Sequence, residues 1–91
     1  MLYGYAFQDW VEAQQALLFD FVITELELAI TFHQLASSSS DLNTIDRNTN
    51  NARRARQAAR KAMQNAILSR QQLQEIDQRL DRLQGLSEAA A

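Results

Sequence analysis

The 91-residue chain contains no cysteine and no proline, and its only two glycines, Gly4 and Gly85, lie near its ends. Without cysteine it can form neither disulfides nor thiolate-bound zinc sites. Proline and glycine are the residues that most strongly interrupt helices, so residues 5–84 contain no strong backbone breaker. These absences predict long helices within a single all-α domain that spans residues 1–91.

Long apolar runs without charge are also missing. The most apolar window, residues 16–32, contains Asp20, Glu25 and Glu27. Carboxylates are costly inside a bilayer, so we expect no membrane-spanning helix. The first nine residues lack the basic start of a secretory signal, and we expect a cytoplasmic protein.

The most regular pattern present lies in residues 52–83, where small or apolar residues recur at alternating spacings of three and four. We call this series the 52–83 stripe: Ala52, Ala55, Ala59, Ala62, Ala66, Ser69, Leu73, Ile76, Leu80 and Leu83. Such spacing over more than four heptads is typical of a long helix that presents one face to a partner. The first half of the stripe is small and the second half is large and aliphatic.

Two long antiparallel helices are therefore expected, at about 7–36 and 42–84, forming a helical hairpin. The serine-rich segment 37–41 is the predicted connecting loop, and residues 1–6 and 86–91 are predicted to be frayed ends. Ser40 or Asp41 can cap the second helix, whose asparagine-rich start leaves its first residue open between 41 and 51.

A single hairpin leaves apolar surface uncovered. Apolar residues span more than half of the circumference of the first helix, whereas a helix at a protein surface needs an apolar stripe only about 100° wide. The leucine half of the 52–83 stripe is also expected to extend past Phe7. We therefore predict a homodimer that forms a four-helix bundle. The predicted packing residues are Trp10, Leu18, Val22, Phe32, Leu73, Ile76, Leu80 and Leu83.

Charge is segregated along the chain. Residues 1–36 carry five acids and no lysine or arginine, whereas residues 47–61 carry six bases and no acid. In the expected hairpin these segments face each other and fix its register more than they stabilise it. The predicted pairs are Glu27 with Arg53, Glu25 with Arg54 and Arg56, and Asp20 with Arg60 and Lys61.

Glu25 is a candidate buried polar residue because it lies within the apolar arc of the first helix. A buried carboxylate must be paired or protonated, so it serves either a structural ion pair, which we favour, or a ligand. The Glu-x-x-His pairs of di-iron bundles are absent, since Ile30 precedes the only histidine, His33, by three residues. With no glycine-rich loop and no nucleophile arrangement, we expect no metal, cofactor, small-molecule ligand or enzymatic activity.

The favoured interpretation is a non-enzymatic protein-interaction or assembly module that acts through homo-oligomeric helix packing or docks on another helical protein. The alternative is nucleic-acid binding through the basic patch Arg53, Arg54, Arg56, Arg60 and Lys61. No aromatic residue is interleaved in that patch, and the acids of the first helix are expected to face it. A solvated or internally paired surface is therefore the better interpretation of these bases.

A third interpretation starts from residues 33–37, His-Gln-Leu-Ala-Ser. This segment resembles the phosphoacceptor segment of histidine phosphotransfer domains, which are also helical bundles. The resemblance implies a signalling role with His33 as the phosphoacceptor. In that family lysine and glycine usually follow the leucine, where this chain has Ala36 and Ser37.

Overall fold

The computed structural model describes residues 2–90, with side chains described for residues 6–88. It contains three helices: α1 (Leu2–Ser38), α2 (Leu42–Gln64) and α3 (Arg70–Ala90). The all-α prediction is confirmed, but the prediction of two long helices is wrong, because segment 42–84 is divided in two. Residues 2–6 and 86–90, which belong to the ends predicted to be frayed, are helical, and the outermost residues of those ends, Met1 and Ala91, lie outside the described part.

The start of α2 agrees with the prediction. Asp41 is its N-cap and accepts hydrogen bonds from the Thr44 backbone N–H at 3.2 Å and from the Thr44 hydroxyl at 2.6 Å. These two bonds, the hydroxyl bond first, lower the pKa of the Asp41 carboxyl. A capped first turn satisfies N–H groups that have no partner within the helix, so α2 can begin directly after a three-residue loop.

The break between α2 and α3 is built from capping residues and needs no glycine or proline. The Asn65 backbone N–H closes α2 by donating to the Ala62 carbonyl at 3.1 Å, and the Ala66 N–H donates to the Met63 carbonyl at 3.3 Å. Ser69 and Gln72 then form a reciprocal capping box: the Gln72 N–H donates to Ser69 Oγ at 3.1 Å, and the Ser69 N–H donates to Gln72 Oε1 at 2.9 Å. This pairing stabilises a helix start at Arg70.

After the break, α3 folds back and runs in the same direction as α1. The Ile67 N–H donates to Gln15 Oε1 at 2.6 Å, and Arg79 Nε donates to Glu27 Oε1 at 2.7 Å. Both contacts join residues 52 positions apart, which is the signature of two parallel helices in constant register. The leucine half of the 52–83 stripe therefore packs along α1, and the prediction that it extends past Phe7 is wrong.

The core forms around α1, which contacts both other helices, whereas α2 and α3 make no close backbone approach to each other within residues 2–90. Its α1 members are Val22, Leu26, Ala29 and Ile30, and the others are Ala55 and Ala59 of α2 and Ile76 and Leu83 of α3. Alanines on α2 let its backbone approach α1 closely, while larger residues fill the space between α1 and α3. Both α2 and α3 are therefore neighbours of α1, which lies between them.

The N-terminal part of α1 extends beyond the other two helices. Because Gln15 is level with the 65–69 connection, residues 2–14 lie past the ends of α2 and α3, and we call them the arm. At 1.5 Å per residue the arm is about 20 Å long. It contributes to an elongated shape of 62 × 23 × 16 Å.

Candidate interaction surface

The face of α1 that neither α2 nor α3 covers carries a second heptad series. Its members recur at alternating spacings of three and four, and we call them the 7–35 stripe: Phe7, Trp10, Gln14, Leu17, Phe21, Thr24, Leu28, Thr31 and Leu35. The stripe covers four heptads and about 42 Å of helix. Apolar residues at this spacing form the seam through which a helix pairs with another helix.

The apolar members of the 7–35 stripe are exposed to solvent. The exposed fraction is 68% for Leu17, 67% for Phe7 and 57% for Trp10, and Phe21, Leu28 and Leu35 are also exposed. Elsewhere in the described side chains, the large exposed hydrophobic residues are Leu42, Ile67 and Leu73, which do not form a series. An ordered apolar surface of this length is unusual on a monomeric protein and indicates an interaction site.

The surface of the stripe is indented by a groove where the arm joins the rest of α1. Gln14, Leu17, Leu18 and Phe21 line a shallow, open groove of about 330 Å³. Nearby, the rings of Phe7 and Trp10 lie with their centroids 6.2 Å apart, tilted by 30°. These ridges and hollows at i, i+3, i+4 and i+7 offer the kind of surface into which side chains of a facing helix insert.

The structure divides the predicted packing residues between the core and the surface. Val22, Ile76 and Leu83 are fully buried, but they pack within the chain. Leu18, Phe32 and Leu80 are half-buried, whereas Trp10 and Leu73 are exposed. Trp10 is the one predicted packing residue that belongs to the 7–35 stripe.

The predicted ion pairs between α1 and the basic patch do not form. Glu27 pairs with Arg79 of α3, in the only salt bridge among the described side chains, and Arg53 instead donates to Asn50 Oδ1. One straight second helix would place Arg53 beside Glu27. Because the chain breaks after α2, α3 brings Arg79 to this side of α1 instead. Glu25 is half-buried, and the buried polar residue is Asn48, whose Nδ2 donates to the Thr44 carbonyl at 3.0 Å.

The basic patch lies on the outer side of α2. Arg53, Arg54, Arg60 and Lys61 are exposed, whereas Arg56 is half-buried with its Nε lacking a hydrogen-bond partner. His33 of α1 is half-buried, and burial and the Arg56 charge, in that order, lower its pKa. Positive charge from the patch therefore reaches into the interface between α1 and α2.

The 7–35 stripe was missed by the sequence reasoning, although its spacing was visible. The polar residues Thr24 and Thr31 occupy two positions of the stripe and interrupt its apolar character. Nothing local distinguishes this series from a core-facing one, since that depends on where α3 folds back. The residues missed are Phe7, Gln14, Leu17, Phe21, Thr24, Leu28, Thr31 and Leu35.

Within residues 2–90, none of the helices combines the length and apolar character needed to cross a bilayer. Among the described side chains, no three histidine, aspartate or glutamate residues gather into a group that could hold a metal ion. Comparisons of the chain with protein-family models, curated proteins and solved structures found no match.

Proposed function

We propose that this protein is a non-enzymatic assembly module that forms a homodimer through the 7–35 stripe of α1. The observation that carries the proposal is the exposure of Phe7, Trp10 and Leu17 within a four-heptad series. Four heptads are enough to sustain a helix pair, and their burial would remove a continuous apolar surface from water.

The simplest partner for the 7–35 stripe is the 7–35 stripe of a second copy of the same chain. A two-fold axis brings the same stripe of both chains together, so the largely apolar surface of one copy meets the same surface of the other. The resulting assembly joins two three-helix units through their α1 helices. The predicted dimer is thus retained, but its interface differs from that of two paired hairpins.

The test is the solution mass by light scattering over a concentration series, for the unaltered chain and two variants. We expect the unaltered chain to have the mass of a dimer and Leu17→Glu to have the mass of a monomer. A glutamate at this position would have to be buried without a partner in the dimer, which costs several kcal/mol. Circular dichroism checks that the variant remains helical.

Leu42→Glu is the matched control. Leu42 is 75% exposed, lies outside the stripe and occupies the first turn of α2, where a negative charge suits the helix dipole. This variant should keep the dimer mass. A monomeric unaltered chain, or a dimer that survives Leu17→Glu, would refute the proposal.

The exposed basic patch favours a second candidate function, the binding of a polyanion such as duplex nucleic acid. It is favoured because no carboxylate of α1 pairs with Arg53, Arg54, Arg60 or Lys61 among the described side chains. Binding of this kind weakens steeply with salt, since it depends on counterion release. Titration of duplex DNA with the unaltered chain and with Arg54→Glu or Arg60→Glu tests it, and unchanged behaviour of both variants would leave it without support.

A further inference from the structure

We infer that the two copies pair in antiparallel orientation, with Trp10 of one copy opposite Leu28 of the other and Gln14 opposite Thr24. This inference rests on the proposed homodimer and specifies how its partner is oriented. Four features carry it: the order of polar and apolar positions in the 7–35 stripe, the charges beside the stripe, the charge distribution along the molecule, and the position of the arm.

The order of residues in the stripe is self-complementary when one copy is reversed. In an antiparallel pair, facing positions have residue numbers with a constant sum, because one number rises as the other falls. With a sum of 38, Trp10 faces Leu28 and Leu17 faces Phe21, so two apolar layers form on each side of the axis. The polar Gln14 then meets the polar Thr24, and Phe7 meets the methyl-bearing Thr31.

Charges beside the stripe distinguish this register from a parallel pair and from the antiparallel register with a sum of 45. Asp20, Glu25 and Glu27 occupy the positions that flank the seam. A parallel pair would bring Asp20 next to Glu25 of the other copy twice, and an antiparallel pair with a sum of 45 would bring Asp20 next to Glu27 twice. With a sum of 38, the like charges in contact are reduced to the two copies of Asp20. Facing like charges disfavour a pairing, so the sum of 38 is preferred over the parallel pair and over the sum of 45.

The long-range charge distribution favours the same orientation. The arm carries Asp9 and Glu12 without a base, whereas the basic run 53–61 belongs to α2, which packs beside the part of α1 that follows the arm. Antiparallel pairing sets each acidic arm level with the basic run of the other copy, but parallel pairing sets the two acidic arms together. The separation exceeds a direct contact, so the effect orients the partners more than it adds affinity, and salt screens it.

The position of the arm adds a packing argument. In a parallel pair, the arms meet only each other and form an isolated two-helix extension. In the antiparallel pair with a sum of 38, residues 7–14 of each arm lie against residues 24–31 of the other α1. Because α2 and α3 flank that part of α1, each arm packs on the three-helix part of the other copy. Opposed helix dipoles also favour this arrangement.

Engineered cysteines can test the inference directly because the chain has none of its own. Gln14, Thr24 and Thr31 are exposed, so cysteine at these positions leaves the core intact. Under mild oxidation, the double variant Gln14→Cys with Thr24→Cys should give a disulfide-linked dimer. We expect at least about tenfold more linked dimer than from Gln14→Cys alone, since cysteines with Cα atoms more than about 7 Å apart cannot be bridged.

The matched control is Gln14→Cys with Thr31→Cys, which would link in the register with a sum of 45. Efficient linkage of this control, or of Gln14→Cys alone as expected for a parallel pair, would overturn the inference while leaving the homodimer in place. A dimer that links in none of these variants would overturn it as well. A monomeric mass for the unaltered chain would instead refute the proposed function, so the two failures are distinguishable.

Discussion

The 52–83 stripe and the 7–35 stripe have the same three-four spacing but opposite environments. Ala52, Ala59, Ile76 and Leu83 of the first stripe are buried against α1, while the apolar members of the second are exposed. The first stripe is divided between two helices that both fold onto α1, whereas the second lies along one uninterrupted helix. Heptad spacing therefore identifies a face that packs, but it does not identify whether the partner lies within the chain.

The difference between the stripes follows from the arrangement of helices around α1. Its apolar arc is wide enough for three neighbours, and α2 and α3 occupy two of those places. The third place is free along the whole length from Phe7 to Leu35. The helix α1 is therefore buried on the sides that face α2 and α3 and exposes a third apolar side.

The largest expected effect is a loss of stability at Leu26, on the covered side of α1, that Leu28 on the exposed side does not share. Leu26 is fully buried in the core, whereas Leu28, in the 7–35 stripe, is 40% exposed. We expect Leu26→Ala to lower the free energy of unfolding by about 2–5 kcal/mol, because it removes buried methyl groups and leaves a cavity.

Leu28→Ala is the control for that measurement. At protein concentrations where the chain is monomeric, it should change the free energy of unfolding by no more than about 0.5 kcal/mol. Urea unfolding of both variants measures the difference. Equal losses in the two variants would contradict the assignment of Leu28 to a surface free within the chain.

A second comparison tests the break that divides the 52–83 stripe. Arg70 is the first residue of α3, a position where proline is favoured because its N–H has no partner within the helix. The preceding N-cap residue, Ser69, suits the extended backbone that proline requires before it. We expect Arg70→Pro to change the free energy of unfolding by less than about 1 kcal/mol.

Gln57→Pro provides the matched comparison in the interior of α2. There proline removes a helical hydrogen bond and clashes with the preceding turn, which costs about 3 kcal/mol or more. Thermal and urea unfolding of both variants measure the contrast. If Arg70→Pro were as damaging as Gln57→Pro, the segment 42–84 would be one helix rather than two.

Local chemistry allowed part of the fold to be predicted from the sequence. The absence of proline and internal glycine indicated helices, and Asp41 marked the start of α2 because its side chain can cap the first turn. The same kind of signal was present at Ser69–Gln72, which has the spacing of a capping box. The 52–83 stripe continues in phase through the break, so in the sequence residues 65–69 resemble one more turn of helix and hide this signal.

The features that could not be predicted depend on contacts distant in sequence. Whether Glu27 pairs with Arg53 or Arg79 is decided by where α3 folds, and that is set in part by the bond between Gln15 and Ile67. The exposure of the 7–35 stripe has the same origin. Its spacing can be read from the sequence, but its availability follows only once α2 and α3 have taken the other two sides of α1.

The smallest expected effect concerns His33, which lies on the covered side of α1. Burial and then the charge of Arg56 lower its pKa in the folded protein below the unfolded value of about 6.5. Well above pH 6.5 the histidine is neutral in both states and has no effect on stability. As the pH falls below 6.5, the unfolded chain takes up a proton before the folded chain does, so the free energy of unfolding decreases until the pH falls below the lowered folded pKa.

Urea unfolding between pH 8 and pH 5 should therefore show a small loss of stability that His33→Gln removes. Arg56→Gln should reduce this loss without abolishing it, because burial is the larger cause of the lowered pKa. The range stays above the region in which the Asp41 cap is protonated, since hydrogen bonds from Thr44 lower the pKa of that carboxyl below 3.8. A pH dependence unchanged by His33→Gln would show that His33 does not titrate against the interface between α1 and α2. The contact between the basic patch and the covered side of α1 would then have no energetic consequence.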